Sequence, residues 1–256
     1  MKKSSFYLLF MNLFFLCINV HAQDFSLGVR GGVSVPNLTA GSDNSSPLST
    51  GYSSRLGGDG GVFADFIFSD MFSIEPMAEY SSQGGKKDGM QAFTTPSALA
   101  AMFPPGQAPQ YLYANYNSEA KLNYLLVPIL AKFGWDFKAI PVRFYVDAGP
   151  FVGFLLSANQ VTSGESAFYT TATTEQPMPG GEQSFNNTQN IKDQLHEMNV
   201  GFAGNVGLSY QFGHNSIFIE GGGNYGLINI QKEPQNGKNN TGAGTASIGY
   251  SYRFSK

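Results

Sequence analysis

Hydrophobic and polar residues alternate with a period of two along several long stretches of this chain. Across residues 25–35, every odd position is apolar or Gly and every even position is small or polar. Residues 142–156 also alternate, with Arg143, Tyr145 and Asp147 on one face. Because successive side chains of a strand point to opposite sides, the pattern predicts strands with two unlike faces. Such long strands are typical of a barrel with lipid outside and a polar interior.

Eight segments of the chain have the length and composition of such strands. The fourth segment is apolar on both faces around residues 124–130, so the sequence leaves its orientation open. The predicted strands are residues 25–35, about 58–68, 72–82, about 121–133, 142–157, 197–212, 217–228 and 245–254.

The connections between these segments alternate between short and long. Residues 69–71, 135–141 and 213–216 are short, whereas 36–57, 83–120, 158–196 and 229–244 are long. Outer-membrane barrels have short periplasmic turns and long external loops. The fold class predicted is therefore all-β, an eight-stranded antiparallel up-and-down transmembrane β-barrel. Closing the barrel satisfies every backbone hydrogen bond inside lipid.

The first 22 residues read as an export signal. Lys2 and Lys3 precede an apolar core, and Ala22 ends an acceptable small-residue cleavage site. The predicted domains are a signal peptide at residues 1–22 and an outer-membrane β-barrel at residues 23–256. Cys17, the single cysteine, leaves with the signal, so no disulfide is expected.

The remaining composition argues against several classes of function. Without Lys2 and Lys3 the formal net charge moves from -3 to -5, which disfavours nucleic acid. His214 lies in a predicted tight turn, and His196, at the base of a long loop, has no Ser in a defined relation to it. No catalytic residues are therefore predicted, and the protein is expected not to be an enzyme. No metal-ligand spacing and no cofactor motif is present, so neither a metal nor a cofactor is expected.

Charged residues of both signs fall on the inferred inward faces. An ion in so narrow a lumen needs a partner or water, so these residues predict an electrostatic network that fills the barrel. The alternative is a polar conduit or a small-ligand site. The predicted lumen network consists of Arg30, Asp65, Glu75, Glu79, Arg143, Asp147, Glu220 and Arg253, with Glu197 on the same face.

Several motifs resemble the PorT-type outer-membrane β-barrel family of Gram-negative bacteria. They include "FSLGVRGGVSV", the strand with Glu75-Pro76 and Glu79-Tyr80, "LNYLLVPILAKF", and "FYVDAGPFVGFLLSA". The aromatic end "IGYSYRF" resembles the signal read by the barrel-insertion machinery. The resemblance implies an eight-stranded barrel in the outer membrane, and the namesake is linked to secretion of surface proteins.

The sequence thus predicts a monomeric, non-enzymatic outer-membrane barrel with a structural or interaction role, such as adhesion, surface assembly or secretion support. Its expected partners are outer-membrane lipid, the barrel-insertion machinery, and a surface or secretion-complex partner that binds the external loops. One alternative is a narrow pore for small solutes. Another is a lipocalin-like ligand carrier, which would need an apolar cavity and a polar exterior.

Overall fold

A computed structural model describes residues 24–41, 46–173, 177–233 and 236–255. The predicted signal peptide, residues 1–22, lies outside the described residues, so its cleavage stays a prediction. Within the described ranges, no helix is long and apolar enough to cross a membrane.

The described residues are mostly β-strand. The helical elements are a single turn, α1 (Ser97–Ala100), and a 3-10 turn at Lys192–Gln194. The strands are β1 (Asp24–Thr39), β2 (Gly57–Ile67), β3 (Phe72–Lys87), β4 (Met90–Thr94), β5 (Tyr111–Asn115), β6 (Asn117–Asp136), β7 (Val142–Ser163), β8 (Glu165–Ser166), β9 (Gln183–Ser184), β10 (Asn187–Asn190), β11 (Met198–Phe212), β12 (Asn215–Gly226) and β13 (Asn240–Ser255).

Eight of these strands close into an antiparallel ring. Their order is β1, β2, β3, β6, β7, β11, β12 and β13, and each pairs with the next. The ring closes between β1 and β13, from Asp24 opposite Ser255 to Thr39 opposite Asn240. The predicted fold class is confirmed. Several strands are longer than predicted because they continue past the barrel into the long loops.

The outer surface of the ring is apolar, and the residues that face outward are those predicted from the period of two. Val206 and Ile248 are 53% and 64% exposed, and Phe144 and Val152 also point outward. Strand β6, whose orientation the sequence left open, places Leu126 and Leu130 inside and Ile129 outside. Both faces of β6 are apolar because its inner face packs in a buried apolar cluster, so the sequence pattern could not distinguish them.

Aromatic rings line the outer wall at the end that carries the short turns. Phe25 stacks on Phe254 with ring centroids 4.7 Å apart, and Trp135 stacks on Phe144 at 5.9 Å. Aromatic girdles of this kind mark the interface between the apolar band and water in outer-membrane barrels. Beyond Tyr80, strand β3 no longer contributes to the exposed apolar band, because loops cover the residues that follow.

The long loops at the other end carry structure of their own. Strands β4 and β5 form a hairpin, and β8 pairs with β9 in the next long loop. A β-bridge between Tyr113 and Tyr169 joins these two loops, and Tyr116 stacks on Phe185 at 4.5 Å. The loops therefore pack on one another above the barrel.

Candidate functional site

An arginine with two carboxylate partners lies at the centre of the barrel. The Arg30 guanidinium donates to Glu79 at 2.6 Å and to Glu220 at 2.5 Å, and all three side chains are at most 5% exposed. Arg30 can reach both partners because its neighbours on β2 and β13 are glycines, Gly61 and Gly249. Such short charge-assisted contacts hold three strands, β1, β3 and β12, in one register.

A second ion-pair cluster is centred on a lysine that sequence reasoning missed. The Lys132 ammonium on β6 lies 2.5 Å from Glu75 and 4.0 Å from Asp65. It also lies 4.4 Å above the centre of the Tyr145 ring, while the Tyr145 hydroxyl donates to Glu220 at 2.8 Å. Tyr145 therefore connects the Lys132 pair to the Arg30 pair.

Acidic groups outnumber cations in this part of the lumen. Asp147 accepts from the Asn205 amide at 2.8 Å, and both carboxylate oxygens of Asp59 are buried without a hydrogen-bond partner among the described residues. The acidic side chains are Asp59, Asp65, Glu75, Glu79, Asp147 and Glu220, against the cations Arg30 and Lys132. This imbalance disfavours an anion at the centre of the barrel.

Two predicted members of the network have other partners. Arg143 donates to Asp136 at 2.9 Å and to the carbonyl of Asp70 at 2.6 Å. Arg253 donates to Asp24 at 2.7 Å. The expectation that both arginines pair with the lumen carboxylates is wrong, because both lie near strand ends at the mouth with the short turns.

The remaining predicted positions follow the inferred faces. The structure brings six together in or beside the two ion-pair clusters, namely Arg30, Asp65, Glu75, Glu79, Asp147 and Glu220. Glu197 lies exposed in the loop just before β11 and does not reach them. Lys132 was missed because the strand that carries it could not be oriented from its apolar pattern.

An aromatic layer lies beside the ion pairs. Phe63 and Phe218 meet edge to face at 5.7 Å, and Tyr145 meets Phe218 at 6.4 Å. These rings lie across inward glycines of neighbouring strands. A Cβ on Gly249 would be 2.1 Å from the Phe218 ring, and one on Gly28 would be 2.2 Å from Phe63. Glycine at these positions thus lets rings fill the barrel.

The loop-side half of the interior combines an apolar cluster with buried polar side chains such as Ser34, Gln83 and Asn199. Leu122, Tyr124, Leu126, Phe151 and Leu155 form a buried cluster there. Three loop residues complete the cluster from above, and they are Ile191, Leu195 and Ile230. The sequence predicted a polar lumen, and the apolar cluster departs from that prediction because loop residues fold down and cover it.

Two cavities flank these layers. One, of about 150 Å³, lies at the short-turn mouth and is lined by polar groups that include Asp65, Arg143 and Arg253. The other, of about 250 Å³, lies under the loops and is lined by residues that include Tyr52 and Lys87. Among the described residues, none lines both cavities.

Neither of the two described histidines belongs to the ion pairs or the aromatic layer, and His214 borders the cavity at the short-turn mouth. His214 is in a short turn, where its ring stacks on Tyr252 at 5.9 Å, and His196 is exposed near the loop side. In the part of the chain that the structure describes, no group of three His, Cys, Asp or Glu side chains is placed to hold a metal ion.

The sequence comparison with known families matches the outer membrane protein beta-barrel domain over residues 21–232. The chain belongs to this family. Outer membrane beta-barrel domain proteins lie in the Gram-negative outer membrane, so the apolar band of this barrel faces lipid. That exterior is the opposite of what a lipocalin-like carrier requires. No curated protein matches the sequence.

Solved outer-membrane barrels resemble the fold at low sequence identity. Neisserial surface protein A is 14% identical, with 89% of this chain and 97% of that chain covered and a TM-score of 0.40. OprG from Pseudomonas aeruginosa is 11% identical, with 91% and 98% covered and a TM-score of 0.38. Ail of Yersinia pestis, solved with the heparin analogue sucrose octasulfate, is 11% identical, with 90% and 99% covered and a TM-score of 0.35.

Proposed function

We propose that this protein is a non-enzymatic outer-membrane barrel with a filled lumen, which serves as a rigid base for an interacting loop surface. The observation that carries the proposal is the buried contact of Arg30 with Glu79 and Glu220. This contact joins strands across the interior, where a conducting pore would need open space. Eight strands enclose a lumen that side chains can fill.

The loops support the interaction role. The β4–β5 hairpin is joined to the next long loop by the Tyr113–Tyr169 bridge, and an aromatic group of Phe93, Phe168 and Phe185 packs between them. Loops held by a rigid scaffold are where binding residues concentrate. We propose that the partner is a component of a surface or secretion assembly, in line with the PorT-type resemblance, and that the barrel is a monomer.

The test is chemical crosslinking on intact cells followed by capture of the tagged barrel. A variant in which residues 90–115 are replaced by a short Gly-Ser linker removes the hairpin and leaves the barrel strands intact. We expect a crosslinked partner with the wild type and with Lys138→Ala, a matched change in an exposed short turn, and its loss with the linker variant. Equal capture by all three proteins would refute the loop role.

A narrow cation pathway is a second candidate function. It is favoured by the cavities at both ends and by the excess of carboxylates over cations between them. A pathway of this kind would conduct small cations and exclude anions. Single-channel recording separates it from the filled barrel, since only the pathway predicts a steady cation-selective current.

A further inference from the structure

The cavity under the loops combines an apolar floor with walls of aromatic rings and polar side chains, the latter including Gln160, Gln194 and Gln231. Leu38, Leu122, Ile191, Leu195 and Ile230 form the floor and belong to the buried cluster that caps the barrel interior. The walls include the rings of Tyr52, Phe93 and Tyr116. With a volume of about 250 Å³, the cavity can hold the ring or short chain of a small molecule.

Of the cations in the described part of the chain, Lys87 borders this cavity. Its ammonium donates to the carbonyl oxygens of Leu48 at 2.7 Å and Pro47 at 3.4 Å, and it lies 4.2 Å above the Tyr52 ring. No carboxylate of the described residues lies within ion-pair distance of it. Gln91 fixes this strand end, because its amide donates to the carbonyls of Lys87 and Tyr116.

Among the described residues, Lys87 has no carboxylate as a counter-ion. Burial lowers the pKa of Lys87 to about 8, whereas burial raises the pKa of Tyr52 to about 12. Burial also raises the pKa of Tyr116, so both phenols stay neutral where Lys87 titrates. The nearby carboxylate of Glu119 lies opposite Lys86 and is bound by Arg55 at 2.8 Å. Asp88, the next residue along the chain, makes no described ion pair.

We propose that this cavity binds a small amphipathic anion, with the anionic group on Lys87 and an apolar or aromatic body on the floor. Two of the three ammonium hydrogens have backbone acceptors, and an anion would take the third and supply a counter-charge that the described residues do not provide. The proposal is independent of the proposed partner contact, because the cavity lies below the loop surface and recognises a small molecule.

The test measures binding of three probes of one shape and different charge to the full barrel in lipid nanodiscs. Benzoate is anionic, benzamide neutral and benzamidine cationic, and titration calorimetry near pH 7 gives each affinity. We expect benzoate to bind best and benzamidine worst. Lys87→Met should weaken benzoate by about ten- to a hundredfold and bring it to the level of benzamide.

Three further variants separate this site from general effects. Lys86→Met removes an adjacent cation of the same strand and should leave benzoate binding unchanged, and Lys87→Arg should retain it. Ala92→Trp fills the cavity with the charge kept and should abolish binding. Heat-modifiable gel migration verifies that each variant is folded. Equal affinity for the three probes, or an equal loss in Lys86→Met and Lys87→Met, would overturn the proposal.

Discussion

Replacing Arg30 by Met tests the central ion-pair cluster most sharply. The substitution keeps an unbranched side chain of similar length and removes the guanidinium that contacts Glu79 and Glu220. Both carboxylates are at most 5% exposed, so neither can turn to bulk water. The variant therefore buries two carboxylates without their shared cation.

The expected loss of stability follows from that burial. Removing one partner of a buried ion pair costs about 3–5 kcal/mol, because an uncompensated charge stays in a medium of low dielectric constant. Arg143 provides the matched control. It contacts Asp136, whose side chain is 57% exposed, and exposed pairs of this kind contribute about 0–1 kcal/mol. Arg143→Met should therefore have a small effect on the free energy of unfolding.

The assay is urea unfolding of the refolded barrel in lipid vesicles, followed by heat-modifiable gel migration and by fluorescence of Trp135, the single tryptophan. A third protein combines Arg30→Met with Glu79→Gln and Glu220→Gln. It should recover most of the lost stability, because neutral amides do not need the cation. If Arg30→Met cost no more than Arg143→Met, or if the two amides gave no recovery, the assignment of Arg30 to a dry ion pair would be refuted.

Three further predictions concern the outer wall, the topology and the loop cavity. Ile248→Arg, at mid-height on the lipid face, should cost about 2–4 kcal/mol in the same unfolding assay, whereas Ser209→Arg should mainly disturb lumen packing. Equal losses of unfolding free energy in the two variants would contradict the face assignment. Epitope tags at Pro104 should bind antibody on intact cells and tags at Lys138 should not, whereas the reverse would mean an inverted barrel. Because the pKa of Lys87 is lowered to about 8, the folded chain loses that proton at a lower pH than the unfolded chain. The stability of the wild type should therefore rise relative to that of Lys87→Met between about pH 8 and pH 10.5, and a fall would contradict the lowered pKa.

The period of two allowed the fold and the faces of most strands to be predicted. Val206 and Ile248 alternate with small or polar neighbours, and this is sufficient to assign them to the outside. Height along the strand is a different quantity, which alternation does not encode. Arg30 and Arg253 share an inward pattern, yet Arg30 lies at mid-barrel and Arg253 at the mouth beside Asp24.

Contacts that depend on how the loops fold could not be predicted from the sequence. Leu195 is an isolated apolar position in a polar loop, and Ile230 follows the apolar pair Leu227 and Ile228. Nothing local indicates that either residue covers the barrel interior. Lys132 follows an apolar stretch on both faces, so its inward direction required the register between β3 and β6. Contacts between distant parts of the chain determine where these residues lie. The period of two within one strand carries no information on such contacts.

Single-channel recording of the purified wild-type barrel in planar bilayers tests the filled interior most directly. With Arg30, Lys132 and their carboxylates between the two end cavities, we expect no steady open channel in either KCl or NaCl. A parallel preparation of a known porin verifies that insertion and detection work. A reproducible steady conductance of the folded wild-type protein would contradict the filled lumen and support the cation pathway.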